Sequence, residues 1–312
     1  MRITALLLCG VLAATSVPGN GAEVTNRGAQ FRVDSELVMI PLSVTDRTGH
    51  AILNLGKADF TVAEDGAAQP VASVSRWDAP VSIGVIFDAS GSMGNAIRRA
   101  RTTIANLFHD SDPEDEAFLI RFAGAPVLET DFVHDPASIL RSLSWESAHG
   151  ATALFDAIYA GLNRMARASN AHKALVIVTD GGDNHSRRSF AELRSAARER
   201  DVQVFALAIR RDLRDLDEQR GRVQLDQLAN DTGGRLLVVD SDVEAQRAMA
   251  AVGELIRNQY LLCYRPLDPS HDAKWRQVRV RLRPTSRESL YKVRSKNGYY
   301  SPELLSRPGS IH

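Results

Sequence analysis

The chain has 312 residues, of which 44% are hydrophobic and 24% are charged, a composition typical of one or two globular domains. Its 38 Lys and Arg side chains balance 38 Asp and Glu side chains, so the formal net charge is zero. This balance excludes a general electrostatic attraction to nucleic acid or to an anionic membrane surface.

The N-terminus has the pattern of a secretory leader. One early Arg precedes a short apolar stretch, and Ala22 is a suitable cleavage point, so we predict a signal peptide over residues 1–22. The apolar run from Ile3 to Leu12 is shorter than the roughly 20 residues of a membrane-spanning helix. Leu8 stands where a lipid-anchoring site has Gly or Ala, which disfavours an anchor at Cys9. We therefore expect an exported protein, periplasmic or secreted, that is soluble after cleavage.

Cleavage of this leader would leave Cys263 as the only cysteine. An internal disulfide is then excluded. The apolar neighbours Leu261 and Leu262 predict a buried, unreactive thiol.

β-Strand patterns occupy residues 23–80, which we predict to be an N-terminal β segment. The stretch FRVDSELVMIPLSVTD alternates in part, and DFTVAEDG ends in the Asp-Gly pair that favours a hairpin turn.

From Val81 the pattern changes to apolar strands separated by amphipathic helices. The predicted strands are VSIGVIF, AFLIRFA, KALVIVTD, VQVFALAI and RLLVVD. Ser189 with Glu192, and Ser241 with Glu244, predict capping boxes at the starts of two of the helices. Strands that are apolar on both faces and alternate with helices predict an α/β fold, a doubly wound and mostly parallel sheet over residues 81–258.

After Gln259 the β pattern returns in YLLCYRP, WRQVRVRLRP and LYKVRSKNGYY. Arg279, Arg281 and Arg283 alternate with apolar residues, so one face of this strand is cationic. An anion-binding surface is one interpretation of that face, and we favour an ordinary solvated face.

The β segments at the two ends are each too small to form a stable sheet alone. We therefore predict that residues 259–300 pair with the N-terminal segment in a β-sandwich, with the α/β domain inserted between them. Residues 301–312 are predicted to be a flexible tail.

Oxygen-bearing side chains cluster at the ends of two predicted strands. Asp88, Ser90 and Ser92 follow VSIGVIF, Asp180 ends KALVIVTD, and Thr152 begins a helix. Because ligands of doubly wound sheets bind at the carboxyl ends of the strands, we expect these residues to share one crevice. Hydroxyl and carboxylate oxygens suit Mg²⁺ or Mn²⁺ better than zinc. Two carboxylates neutralise such an ion, and the neutral hydroxyls leave room for a third carboxylate from outside.

These residues resemble the metal-ion-dependent adhesion site of von Willebrand factor type A domains: D-A-S-G-S at 88–92, a threonine at 152 and T-D-G at 179–181. The resemblance covers roughly residues 81–258. It implies that Ser90, Ser92 and Thr152 bind the metal directly, while Asp88 and Asp180 hold its water ligands. A Glu or Asp of a protein partner would fill the last position.

The flanking stretches SVTDRTGHAILNLGKADFTVAEDG and KVRSKNGYYSP resemble the exported bacterial VWFA-related family, which has no well-defined biochemical role. We assign Gly94, Asn95, His149 and Asp183 to a rim around the metal that contacts the partner. For Asp183 the alternative is an ordinary solvated loop residue, and we favour that interpretation.

Three functions fit this pattern unequally. A metal-dependent binding module fits best. A phosphatase with Asp88 as nucleophile would need a general acid two residues later, and that position is occupied by Ser90. A serine hydrolase would need a G-x-S-x-G motif, which the sequence lacks. We therefore expect that the protein is not an enzyme. A scaffold whose sandwich makes the contacts stays open.

Overall fold

The computed structural model describes residues 37–93, 96–143, 151–210, 215–268, 270, 272–284 and 290–302. All of these residues fall in one compact unit. The predicted leader and the rim residues Gly94, Asn95 and His149 lie outside the described residues. No helix in the described ranges is long and apolar enough to cross a membrane.

The described residues form strands and α-helices that follow the predicted order. The strands are β1 Val38–Thr45, β2 Phe60–Glu64, β3 Ala67–Gln69, β4 Val71–Arg76, β5 Val81–Asp88, β6 Glu116–Phe122, β7 Pro126–Val133, β8 His172–Thr179, β9 Gln203–Ile209, β10 Leu236–Val239, β11 Tyr260–Tyr264, β12 Trp275–Leu282, β13 Lys292–Ser295 and β14 Gly298–Tyr300. The helices are α1 Ala96–Leu107, α2 Pro136–Ser142, α3 Leu154–Arg164, α4 Phe190–Glu199, α5 Leu216–Thr232 and α6 Asp242–Arg257.

The central sheet has the strand order β10-β9-β8-β5-β6-β7. All neighbouring strands are parallel except β6 and β7, which are antiparallel. Every residue of β5 is buried, because β5 lies in the middle of the sheet with helices on both faces. The prediction of a mostly parallel α/β sheet is confirmed, and the antiparallel edge strand β7 is an addition to it.

Two apolar cores lie on opposite faces of this sheet. One contains residues of α1, α2 and α6, and the other contains residues of α3, α4 and α5. Adjacent residues of β5 point to different cores, Val85 to the first and Ile86 to the second, as the two-residue period of a strand requires. The sheet is therefore doubly wound.

The predicted helix caps form with one difference. Ser189 and Glu192 make a complete capping box at the start of α4. At the start of α6 the Ser241 side chain accepts a hydrogen bond from the Glu244 backbone N–H, but the Glu244 carboxylate accepts from the N–H of Asp240. The second box is thus only half formed, because Glu244 reaches one residue further back.

Strands from the two ends of the chain combine in two antiparallel sheets, with the orders β13-β1-β11-β4 and β14-β12-β2-β3. Apolar side chains from both sheets share a third core, as in a sandwich. Asp65 and Gly66 have φ values of 48° and 88°, which a tight hairpin turn between β2 and β3 requires.

In β12 the Val and Leu side chains are buried and Arg279 and Arg281 are exposed, as predicted. The predicted strand LYKVRSKNGYY is divided into β13 and β14, which belong to different sheets. Ser301, the first residue of the predicted tail, is buried and donates from its backbone N–H to the carbonyl of Lys274. Cys263 is buried.

A buried carboxylate, that of Asp231 at the end of α5, joins the α/β domain to the sandwich. Arg194 Nε donates to it over 2.5 Å, and an Arg198 guanidinium nitrogen lies 3.3 Å from the same oxygen. From the sandwich side, the Asn297 side chain donates to the carboxylate and the Asn297 backbone N–H donates to the Asp231 carbonyl, each over 3.1 Å. Asn297 belongs to the S-K-N-G-Y-Y stretch, so this part of the sequence serves as a contact between the two parts of the fold.

A buried histidine, His172, lies at the start of β8, beside the sandwich. Its ring stacks on that of Trp77, with centroids 4.1 Å apart and an angle of 17° between the planes. Burial lowers the pKa of His172 to about 4, and Asp115 and Arg257 also act on it electrostatically, in opposite directions. His172 is therefore neutral in the folded protein at neutral pH.

We expect the contribution of His172 to the free energy of unfolding to fall as the pH falls from about 6.5 to about 4. In this window His172 is protonated in the unfolded chain and neutral in the folded one, so the unfolded state binds more protons. The full effect is about 3 kcal/mol, from about 1.4 kcal/mol per pKa unit. Urea denaturation should show that the free energy of unfolding of wild type, minus that of the H172Q variant, falls by about this amount across the range, because the raised pKa of Asp88 acts equally on both proteins. The exposed His109 provides the control, and H109Q should keep the wild-type slope.

Candidate metal centre

The candidate centre begins where β5 and β8 end side by side. The register pairs Phe87 with Val178, so Asp88 and Thr179 are the next residues on adjacent parallel strands. The Thr179 hydroxyl donates to Asp88 Oδ2 over 2.6 Å, and the Ser90 backbone N–H donates to Asp88 Oδ1 over 2.9 Å. Asp88 is thereby held in one orientation at the carboxyl edge of the sheet.

Four of the five predicted metal-site side chains are described, and all four are buried. The exposed fractions are 0% for Asp88 and Ser90, 5% for Thr152 and 3% for Asp180. Burial, together with the nearby charge of Asp180, raises the pKa of Asp88 to about 6, although hydrogen bonds from Thr179 and Ser90 act to lower it. The two carboxylates are thus near each other and shielded from solvent, and a bound cation would stabilise their charged forms.

The end of β6 holds two of the site loops next to each other. The Ala89 N–H donates to the Phe122 carbonyl, and the Ala153 N–H donates to the Ala123 carbonyl, each over 2.7 Å. The residues adjacent to these donors, Asp88 and Thr152, are therefore brought to the same edge of the sheet from distant parts of the sequence.

The loop after β8 holds Thr152 from the other side. The Thr152 N–H donates to Asn184 Oδ1 over 2.8 Å, and the Thr152 carbonyl accepts from the N–H groups of Asn184 and His185. Since this loop begins at Asp180, the bonds link Thr152 to the strand end that carries Asp180.

The first turn of α3 reinforces this link. Asp183 accepts a hydrogen bond from the Phe155 N–H, and the Asp156 carboxylate accepts from the N–H groups of Arg187 and Arg188. Asp183, which we predicted to line the rim, thus binds the start of a helix through one carboxylate oxygen.

Helix α5 packs directly against the turn after Asp180. Gly181 has a φ of 101°, a left-handed conformation that favours glycine. A Cβ atom on Gly221 of α5 would overlap the carbonyl oxygen of Gly181. The contact therefore needs glycine at position 221, while the backbone conformation of the turn favours glycine at position 181. The position of this turn depends on α5.

The structure brings Asp88, Ser90, Thr152 and Asp180 to one edge of the sheet. Ser92 lies in the 3₁₀ turn Gly91–Met93, on the same loop as Asp88.

Among the residues that fix the geometry, Thr179 belonged to the T-D-G motif but had no predicted role. Asn184 and Gly221 were not among the predicted site residues, and no local sequence pattern points to either.

The donor set fits a hard divalent cation. Hydroxyl and carboxylate oxygens are the ligands that Mg²⁺ and Mn²⁺ prefer. Within the described residues there is no group of three or more His, Cys, Asp or Glu side chains arranged for a metal, so a site of the zinc type is absent from this part of the chain. A cation here would depend on hydroxyls as well as carboxylates.

Comparison with known proteins identifies a family model that matches part of the chain. Residues 83–182, which contain Asp88, Thr152 and Asp180, match the family model of the von Willebrand factor type A domain. The predicted resemblance to type A domains is thereby confirmed for this segment. No curated protein matches the chain.

Several solved structures have a similar fold at low sequence identity. A von Willebrand factor type A protein from Catenulispora acidiphila is 11% identical, with a TM-score of 0.50 over 88% of this chain and 76% of that one. BatB from Bacteroides thetaiotaomicron is 21% identical, with a TM-score of 0.46 over 56% of this chain and 98% of that one. The domain of the pilus tip protein Mfa5 from Porphyromonas gingivalis is 12% identical, with a TM-score of 0.47 over 58% of this chain and 96% of that one.

The likeness to the Catenulispora protein concerns the fold. Its share of this chain, 88%, is larger than the α/β domain alone can supply, so it includes part of the flanking β strands.

Proposed function

We propose that this protein binds a protein partner through a divalent cation, Mg²⁺ or Mn²⁺, held at the carboxyl edge of the central sheet. The observation that carries the proposal is the buried pair of carboxylates, Asp88 and Asp180, beside the buried hydroxyls of Ser90 and Thr152. Two like charges buried near each other repel, and a divalent cation bound between them would offset that repulsion.

Each side chain has a distinct part in this proposal. The hydroxyls of Ser90, Ser92 and Thr152 would bind the cation, and Asp88 and Asp180 would orient its water ligands. When bound, the cation supplies a positive centre for an incoming carboxylate. Because the hydroxyl ligands carry no charge, an exposed Asp or Glu of a partner is the natural group to complete the site.

The Thr179 hydroxyl positions the strand ends that carry Asp88 and Asp180. It donates to Asp88 and accepts from the Gly181 N–H over 3.0 Å, so it ties the two carboxylate-bearing strand ends together.

We also propose that the protein is exported and meets its partner outside the cytoplasm. The leader pattern of residues 1–22 supports this. Fractionation of the producing cell with an antibody to the chain tests it, and retention of the unprocessed chain in the cytoplasm would contradict it.

An affinity pull-down from the exported fraction tests the binding function. We expect one or more proteins that are captured in Mg²⁺ and lost both in EDTA and with the S90A/S92A variant. A matched control is S73A/S75A, two exposed serines on β4 with the same spacing, which should capture as wild type does. Capture that resists both EDTA and S90A/S92A would contradict the proposal and favour a scaffold that binds through its sandwich.

A further inference from the structure

A second candidate site lies where the end of α5 meets the sandwich. It is a cavity of about 360 Å³. Asn230 of α5, Gln277 and Arg279 of β12, and Arg294 and Ser295 of β13 are among its lining residues. This volume is within the range of roughly 300–1,000 Å³ found for small-molecule sites.

The cavity is distant from the candidate metal centre. Gly221 of α5 contacts the metal-site turn, and the cavity begins at Asn230, nine residues further along the helix, or about 14 Å at 1.5 Å per residue. Binding in the cavity and binding at the metal centre can therefore be measured separately.

Arg294 is the lining arginine whose surroundings favour an additional partner, because Arg279 is exposed. Arg294 is half-buried, and its Nε atom is buried with no hydrogen-bond partner in the described part of the chain. Neither Arg279 nor Arg294 makes an ion pair with any residue that the structure describes. A buried polar group without a partner is unfavourable, and a bound anion would satisfy it.

The charges around Arg294 also favour an anion. Burial lowers the pKa of Arg294, and the neighbouring Arg235 acts in the same direction. Asp226 opposes this effect, but it is exposed on α5 and accepts a hydrogen bond from the Asn230 side chain over 3.0 Å.

We propose that this cavity binds a small organic oxyanion, a carboxylate or phosphate compound, through Arg279 and Arg294. The planar guanidinium groups match the geometry of both oxyanions and can donate two parallel hydrogen bonds to either. Asn230, Gln277 and Ser295 supply uncharged polar groups for the remainder of the ligand. The site joins α5 to both β12 and β13, so an occupant contacts the α/β domain and the sandwich together.

Isothermal titration calorimetry of the full chain in metal-free buffer tests this proposal, with inorganic phosphate and citrate as probes and NaCl of equal ionic strength as the blank. We expect saturable binding of at least one probe. Binding should weaken about tenfold or more in R279Q and in R294Q, since each removes a charge-assisted hydrogen bond. The control R281Q changes an exposed arginine two residues along the same strand and outside the cavity, and should bind as wild type does.

If phosphate binds more strongly than citrate, the ligand class is a phosphate compound. If citrate binds more strongly, the ligand class is a carboxylate compound. If R294Q fails to fold, as judged by circular dichroism, R279Q decides, because Arg279 is exposed and its loss should leave the fold intact. Absence of binding by either probe to the wild type, or an equal loss in R281Q, would overturn the proposal.

Discussion

Replacing Asp231 with Ala should lower the free energy of unfolding by about 2–3 kcal/mol, since it removes charge-assisted hydrogen bonds to a buried carboxylate from two arginines that are 31% and 30% exposed. Asp231 is 5% exposed and binds Arg194, Arg198 and Asn297. The substitution leaves two guanidinium groups without their carboxylate and removes a bond between the α/β domain and the sandwich. Urea denaturation followed by circular dichroism measures the change.

Asp226 is the matched control for this experiment. It lies on the same helix, is exposed, and hydrogen-bonds Asn230. D226A should change the free energy of unfolding by no more than about 0.5 kcal/mol, as is usual for surface substitutions. If D231A unfolds at the same urea concentration as D226A, the contact between the two parts of the fold contributes little to stability.

Replacing Gly221 with Ala should disrupt the turn that carries Asp180. The added Cβ atom overlaps the carbonyl oxygen of Gly181, so either α5 or the turn must move. Forcing atoms into a well-packed place costs about 1–3 kcal/mol, and sometimes more. We expect G221A to lower both the free energy of unfolding and the affinity for Mg²⁺, measured by denaturation and by calorimetry.

Gly182 provides the control for this substitution within the same turn. A Cβ atom on Gly182 would have no atom within 4 Å outside its chain neighbours, and its φ is not in the left-handed region. G182A should therefore keep wild-type stability and Mg²⁺ affinity. Equal behaviour of G221A and G182A would mean that the packing of α5 does not determine the position of the turn.

The architecture could be predicted from the sequence because its central strands are buried on both faces. VSIGVIF has no polar alternation, and every residue of β5 is buried. The edge strand β7 was missed for the opposite reason. PVLETDFV has no buried residue, and its sequence does not have the continuous apolar character of the other strands. The pairing of the two ends in a sandwich followed from the small number of strands at each end.

The candidate site could be predicted only where its residues follow a strand or begin a helix. Asp88, Ser90 and Asp180 met this condition. Asn184 and Gly221 did not, because their parts depend on contacts with Thr152 and Gly181 that only the tertiary structure creates. The same is true of Asn297, whose contact with Asp231 lies outside any local pattern.

Titration of the purified chain with Mg²⁺, and separately with Mn²⁺, tests the central claim most directly. We predict saturable binding of one ion per chain to the wild type by calorimetry, weakened at least about tenfold in D180A, which removes one of the two buried carboxylates. D78A is the control and should bind as wild type does, since Asp78 is an exposed carboxylate that precedes β5, at the opposite edge of the sheet. Failure of the wild type to bind either ion, or unchanged affinity in D180A, would contradict a metal site at this edge of the sheet.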